Sequence, residues 1–309
     1  MTQNADSTDA GKPVAAPPSS SPSMAWLLAA RPHTLGVTLS GVLAACTLAW
    51  HQKGGLDWPV AIVTFLAAIL IQIATNLFND AGDYESGIDR GERLGPDRAV
   101  AKGWLGTRQV KQAGLGCLAL AFVLGVYLVV VGGWPIVLLG LVALFCGWAY
   151  TLGPAPISHG PLGEIFVWVF FGLAAVLGTY YLQTGTLSRQ IWILGHMMGA
   201  FASAVMLVNN TRDAASDVLA GKYTLAVRIG LPACRLLYAG MLAVPYLLAL
   251  SQARHWAHVL PHLTLPLAVL LVYRMATWPP SKRYNWLLAR TAHLQLAFTV
   301  LWVLALILD

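Results

Sequence analysis

The sequence predicts an all-α integral membrane protein with nine transmembrane helices, and three observations carry that prediction. Of 309 residues, 57% are hydrophobic and only 10% are charged, against about 25% charged in an ordinary soluble domain. Apolar runs of about 20 residues, the length that crosses a bilayer, recur along the chain. The basic residues gather on one side of those runs, as the positive-inside rule requires. The formal net charge of +6 is explained by that bias. It does not indicate nucleic-acid binding, because little polar chain remains on which to build a basic groove.

Taken in order, residues 1–23 are rich in Ala, Pro and Ser, lack an apolar centre and are expected to be a disordered tail. No basic stretch leads into an apolar one before Met24, so the tail does not read as a signal peptide, and Met24 is an alternative start. The membrane domain is then 24–309. Its nine runs lie at roughly 34–52, 59–79, 112–131, 134–152, 163–183, 190–210, 233–250, 258–277 and 287–308. Several are short or interrupted by Gly and Pro, and the third and fourth are joined only by the tight turn "GGWP".

With the N-terminus in the cytoplasm, sixteen of the nineteen Lys and Arg fall on the cytoplasmic side. Only Lys53, Arg189 and Arg254 fall opposite. That places both long polar loops, 80–111 and 211–232, on the inner face. The cysteines Cys46, Cys117, Cys146 and Cys234 form no CxxC pair and read as small, reduced core residues.

Six of the thirteen carboxylates crowd into eighteen residues, Asp80 to Asp97. In "NLFNDAGDYE", Asn76 precedes Asp80 by four residues and Asp83 follows it by three. In "NNTRDAASD", Asn209 precedes Asp213 by four and Asp217 follows by four. Residues three or four apart share a helix face, so each helix end offers an Asn and two Asp in one stripe. Basic residues follow each stripe: Arg98 and Lys102 the first, Lys222 and Arg228 the second.

Paired carboxylates at a membrane repel one another and are costly unless neutralised. Mg²⁺ neutralises them with oxygen ligands and commonly bridges one or two carboxylates to a substrate phosphate. Nearby Arg and Lys suit the remaining phosphate oxygens. Neither cluster holds a His or Cys, which speaks against zinc. The pattern describes a Mg²⁺-held diphosphate with Asp80, Asp83, Asp213 and Asp217 as ligands. Solvated loops are the plainer explanation, and it suits Glu85, Glu92 and Asp97. It does not explain carboxylates that begin inside the apolar run.

Four blocks, "ARPHTLGVTLSGVLA" (30–44), "TNLFNDAGDYESGIDRGERLGPDRAVAKG" (75–103), "YTLGPAPISHGPLGEIFVWVFFGLAAVLGTYYLQTG" (150–185) and "NNTRDAASDVLAGKYTLAVRIG" (209–230), resemble the UbiA superfamily of intramembrane prenyltransferases. The match is nearest its 1,4-dihydroxy-2-naphthoate polyprenyltransferase branch. The gap of six from Asp83 to Asp89, with Gly87 between, resembles that branch rather than the hydroxybenzoate enzymes. Gly36 stands where the branch often has Pro, and "SHGPLGE" departs from its usual residues before "LGE".

The resemblance implies a nine-helix bundle around a cytoplasm-facing cavity. It implies Mg²⁺-dependent transfer of a polyprenyl group to an aromatic acid in menaquinone biosynthesis, with loss of diphosphate and CO₂. It also implies a bacterial inner-membrane location; no protein partner is inferred. Under it, Asn76, Asn79 and Asn209 orient the carboxylates or bind phosphate, and Arg98, Lys102 and Lys222 hold diphosphate oxygens. Arg31 and Glu164 face the acceptor, and Tyr150 shields the allylic cation.

Plainer roles stand beside these: interfacial anchor for Arg31 and Tyr150, helix-terminus charge for Glu164. Two other functions stay open. One is the same chemistry on 4-hydroxybenzoate, homogentisate or another phenol; the other is a divalent-cation or small-molecule transporter, although transporter sites lie nearer the midplane. His255, His258 and His262 lack a clear fourth ligand for a metal. His159 and His196 read as interior or interface residues, and the twelve Trp as anchors and packing.

Overall fold

In the computed structural model the described residues are 22–88 and 93–309, without the side chains of Pro22 and His33. Nearly all of the tail, together with Asp89, Arg90 and Glu92, lies outside them. A short helix α1 (Pro22–Ala30) precedes α2 (Pro32–Lys53), α3 (Trp58–Glu85), α4 (Thr107–Gly132) and α5 (Trp134–Leu152). The next span is composite: α6 (Gly163–Val167), a π-helical stretch (Trp168–Ala174) and α7 (Ala175–Thr184). Then come α8 (Arg189–Leu219), α9 (Leu225–Ser251), a 3₁₀ segment (Trp256–Thr264), α10 (Leu265–Thr277) and α11 (Tyr284–Leu308). Among the described residues, nine helical runs are long and apolar enough to cross a membrane, so the chain is a multi-pass membrane protein.

The nine expected runs match in number and order, and their ends differ for physical reasons. The second and sixth were expected to stop near 79 and 210, yet α3 and α8 continue to Glu85 and Leu219. The added turns carry Asp80 and Asp83 in α3 and Asp213 and Asp217 in α8, whose polar side chains line an internal cavity and so need not end the helix. The seventh run was expected at 233–250. Helical turns begin earlier, at Leu225, but Gly230 (φ 74°, ψ 167°) breaks them just before Pro232.

α8 is the central column. Its Leu194, Met197, Met198, Phe201, Ala204 and Leu207 are fully buried against α2, α9 and α11. Lipid offers no hydrophobic drive for helix association, so close backbone packing matters. Gly172 of the π stretch shows it: a Cβ there would stand 2.5 Å from Gly199 Cα and 2.6 Å from the Gly195 carbonyl oxygen. Neither backbone atom can move cheaply. Gly172→Ala is expected to cost about 1–3 kcal/mol through overpacking, read as a lowered melting temperature in detergent. An unchanged melting temperature would mean the contact is loose.

Many polar side chains inside the bundle are paired, as a membrane interior favours. At one end Gln183 and Asp57 exchange two hydrogen bonds (2.9 and 3.0 Å), and Lys53 Nζ donates to the Gln183 carbonyl at 2.8 Å. Nearby, His51, His255 and His258 converge on the Asp309 carboxylate at 3.3, 3.7 and 3.4 Å. His258 Nδ1 accepts from the Arg254 amide at 3.2 Å. Its proton therefore sits on Nε2, facing Asp309, which does not suit metal binding there. His262 is not part of the cluster and meets the Tyr246 carbonyl instead.

Candidate active site

α3 and α8 bring their carboxylate-bearing ends together at one mouth of a cavity of about 1250 Å³. Asp83, almost wholly buried, joins the two motifs. Lys222 Nζ, from the loop after α8, donates to Asp83 Oδ1 at 2.9 Å, and Arg98 Nη2, from the loop after α3, donates to Oδ2 at 3.1 Å. The two stripes therefore share one cavity. Asp80 accepts from the Ala99 amide at 3.1 Å and the Val100 amide at 3.4 Å, which pins the 93–106 loop across the mouth.

Asn79 Oδ1 accepts from both Arg31 Nη2 (2.7 Å) and Arg98 Nη2 (2.8 Å). Asn76 Nδ2 donates to the Ala30 carbonyl at 2.9 Å, bracing the junction of α1 and α2. On α8, Arg212 grips Asp213 in a two-pronged pair (Nε–Oδ1 2.8 Å, Nη2–Oδ2 2.6 Å). It also donates to Asn209 Oδ1 at 2.9 Å and Asn285 Oδ1 at 2.7 Å. Asn285 in turn donates to the Leu94 carbonyl at 2.8 Å, so α11 ties the loop to α8. Asp217 is buried on the same wall.

Arg31 occupies the left-handed region (φ 54°, ψ 62°), the only non-glycine to do so among the described residues. That conformation costs roughly 1–2 kcal/mol in an L-residue, and such strain gathers at functional sites. Here it turns the guanidinium inward to Asn79. Burial lowers the Arg31 pKa from the ordinary guanidinium range while Asp80 and Asp83 raise it; burial likewise lowers that of Arg93. Arg31→Gly is expected to melt at or above the wild-type temperature and to lose turnover, whereas Arg31→Ala melts lower. Equal melting temperatures for the two would remove the strain argument.

Five cations (Arg31, Arg93, Arg98, Arg212, Lys222) and five carboxylates (Asp80, Asp83, Asp97, Asp213, Asp217) line the cavity among the described residues. A balanced wall suits a ligand of small net charge, such as a diphosphate accompanied by a divalent cation, better than a bare polyanion or a bare cation. The acidic donors are all oxygen, as a hard cation prefers. No three carboxylates, His or Cys among the described residues could together hold a metal, so phosphate oxygens would have to complete the coordination.

Past the charged mouth the cavity is largely apolar. It follows α3 from Asp80 back to Thr64, sixteen residues or about 24 Å at 1.5 Å per residue. Its walls include Ile71, Leu139, Leu144, Phe170 and Gly178, and Leu128, Ile136 and Leu182 pack together at the far end. Tyr150 borders the passage, its ring 5.2 Å from Phe166, which stacks on Phe170 at 4.3 Å.

The structure does not bring every expected residue into the cavity. Lys102 is 43% exposed and does not line the cavity; it pairs at 3.2 Å with Asp97, an exposed carboxylate that the sequence placed in a solvated loop and that borders the cavity at its rim. Arg228 is exposed and reaches only the Tyr223 carbonyl. Glu164 stands behind the wall: its Oε1 accepts from Asn210 Nδ2 at 2.9 Å, and Asn210 does the lining. Arg93, Arg212, Asn210 and Asn285 line the cavity without having been singled out. Arg212 and Asn210 lie within the second Asp motif, and that adjacency was the available signal.

The UbiA prenyltransferase family profile matches residues 38–298. The chain is 33% identical to the 1,4-dihydroxy-2-naphthoate octaprenyltransferase of Haemophilus influenzae, over 92% of this chain and 96% of that one. It is 35% identical to the protein of that name from Mycobacterium tuberculosis, over 76% and 80% of the two chains. A UbiA homolog from Archaeoglobus fulgidus bound to GPP and Mg²⁺ has a similar fold (TM-score 0.63, 16% identity, 92% of this chain and 100% of that one). So does the apo UbiA homolog of Aeropyrum pernix (TM-score 0.64, 16% identity, 88% and 97%).

Proposed function

Because the chain belongs to the UbiA prenyltransferase family, we propose that it transfers a polyprenyl group from an allylic diphosphate to 1,4-dihydroxy-2-naphthoate. The relatives carry the name of that acceptor. The observation that carries the chemistry is the Asp83 bridge, which places Arg98 and Lys222 from two separate loops at one carboxylate, inside a cavity shared by both motifs.

The donor's diphosphate sits among Arg31, Arg93, Arg98 and Lys222, and its tail lies along the apolar passage. Asp83 and Asp217, with Asp80 and Asp213 beside them, would hold Mg²⁺, which when bound supplies positive charge to the leaving diphosphate. Preplaced cations stabilise the charge that develops as the C1–O bond breaks and its electron pair leaves with diphosphate. The ring faces of Tyr150 and Phe166 border the passage and stabilise the allylic cation. The apolar walls keep out water that would quench it. The ring carbon bearing the acceptor's carboxylate forms the new C–C bond. Its bond to CO₂ then breaks, the electron pair returns to the ring, and demethylmenaquinone results as its quinol.

Asn76 and Asp80 set the walls by holding the α1–α2 junction and the 93–106 loop, and Glu164 positions Asn210. The charge count supports an inner-membrane orientation with a cytoplasmic N-terminus, the mouth opening on the side where diphosphates are made. The packed Leu128, Ile136 and Leu182 at the far end support a one-sided site over a transport path.

Purified protein given Mg²⁺, a polyprenyl diphosphate and dihydroxynaphthoate is expected to release diphosphate and CO₂ in equal amounts, and EDTA is expected to stop it. Turnover with 4-hydroxybenzoate and none with dihydroxynaphthoate would reassign the acceptor. Full turnover in EDTA would remove the metal.

A further inference from the structure

Between Asp217 and Asp309 the sequence contains no acidic residue, yet it carries Arg274, Lys282, Arg283 and Arg290 around the corner joining α10 to α11. The corner is built rather than loose. Arg235 of α9 donates to the Met275 and Trp278 carbonyls, both at 3.0 Å, and the Tyr284 hydroxyl reaches the Trp278 carbonyl at 3.3 Å. These bonds fix the backbone at Trp278, whose ring lies between Arg274 (5.2 Å) and Arg283 (5.8 Å). It also meets Trp286 at 5.7 Å, and Trp286 lies under Arg290 at 5.8 Å. Lys282, Arg283, Trp286 and Arg290 are exposed. Among the described residues no carboxylate pairs with any of the four cations. Asn285, two residues from Arg283, bonds Arg212 and Leu94, so the corner lies on the side of the cavity mouth.

A solvated basic loop would satisfy the positive-inside rule. It would not need three arginines set on a contacting pair of indoles, with no carboxylate among the described residues paired to them. Aromatic rings sit at headgroup depth, and a basic pocket between helices there suits a lipid phosphate. We propose that the α10–α11 corner binds the phosphodiester headgroup of an anionic phospholipid in the leaflet that faces the cavity mouth. Charge complementarity selects an anion, and the flanking indoles, exposed Tyr273 and apolar helix faces select one attached to acyl chains.

The test is native mass spectrometry of the full chain titrated with phosphatidylglycerol, with phosphatidylcholine and inorganic phosphate as comparisons. Each juxtamembrane cation contributes a factor of about five. Arg283→Gln with Arg290→Gln should therefore weaken phosphatidylglycerol binding about 25-fold. The charge-matched control, Arg108→Gln with Arg228→Gln, should retain it. Arg283→Lys with Arg290→Lys should stay near wild type, which separates charge loss from misfolding. Equal weakening in both Gln pairs would reduce the site to a diffuse field and overturn the proposal. So would equal binding of phosphatidylcholine, or displacement of phosphatidylglycerol by an equimolar amount of inorganic phosphate.

Discussion

Asp83→Asn is expected to lower turnover about 10²–10³-fold, the usual loss when one preorganised electrostatic group is removed from a transition state. The carboxylate has two tasks in this account. It holds Lys222 and Arg98 in place, at 2.9 and 3.1 Å, and it offers oxygen to the divalent cation. Asparagine keeps the shape and one acceptor oxygen but loses the charge, so the two cations lose their shared anchor. The protein should still insert and purify, because both cations border the cavity and can turn to solvent. Steady-state assay of the purified variant, with its melting temperature as a control, checks this. Wild-type turnover would show that Asp83 is only a loop fastener.

Arg212→Met is expected to cost stability as well as activity. Arg212 is buried and satisfies Asp213, Asn209 and Asn285 together. The Leu94 end of the loop depends on the same Asn285. A Cβ on Gly95 would stand 2.7 Å from Arg212 Nη2, so the loop is packed directly over the guanidinium. Removing it leaves Asp213 without its two-pronged partner in a poorly solvated place. Breaking one side of such a pair costs about 3–5 kcal/mol, with the lower end expected here because Asp213 keeps 16% of its side chain exposed. Arg212→Lys keeps the charge but not the planar fork, and should fall between Met and wild type in thermal melting. Identical melting of all three would mean that the network is ornamental to the fold.

The contrast between Lys102 and Lys222 shows where sequence reasoning reached and where it stopped. Both lie in the loop that follows an Asp stripe, and both look like phosphate-binding candidates. Only Lys222 enters the cavity, because the turn after α8 folds it back onto Asp83, while the 99–103 turn sends Lys102 out to Asp97. Spacing along a helix fixes a face, which is why Asp80, Asp83, Asp213 and Asp217 were legible. Spacing along a loop fixes nothing of the kind.

Arg93 and Arg212 were hidden for another reason. The positive-inside rule explains every inner-face arginine equally well, so it cannot separate a lining cation from a solvated one. Glu164 was visible as an acid near the start of its span, but only the packing shows that Asn210 stands between it and the cavity. The nine spans needed none of this information, since apolar length alone marks them.

The central claim is that both motifs act on one diphosphate. A double-mutant cycle on binding of a non-cleavable prenyl thiodiphosphate with Mg²⁺, using Asp83→Asn, Asp217→Asn and the pair, tests it most directly. The account predicts coupling: either single change removes most of the affinity, and the pair loses little more than either alone. Losses that simply add, or an Asp217→Asn variant that binds like wild type, would place the two motifs in separate sites and contradict it.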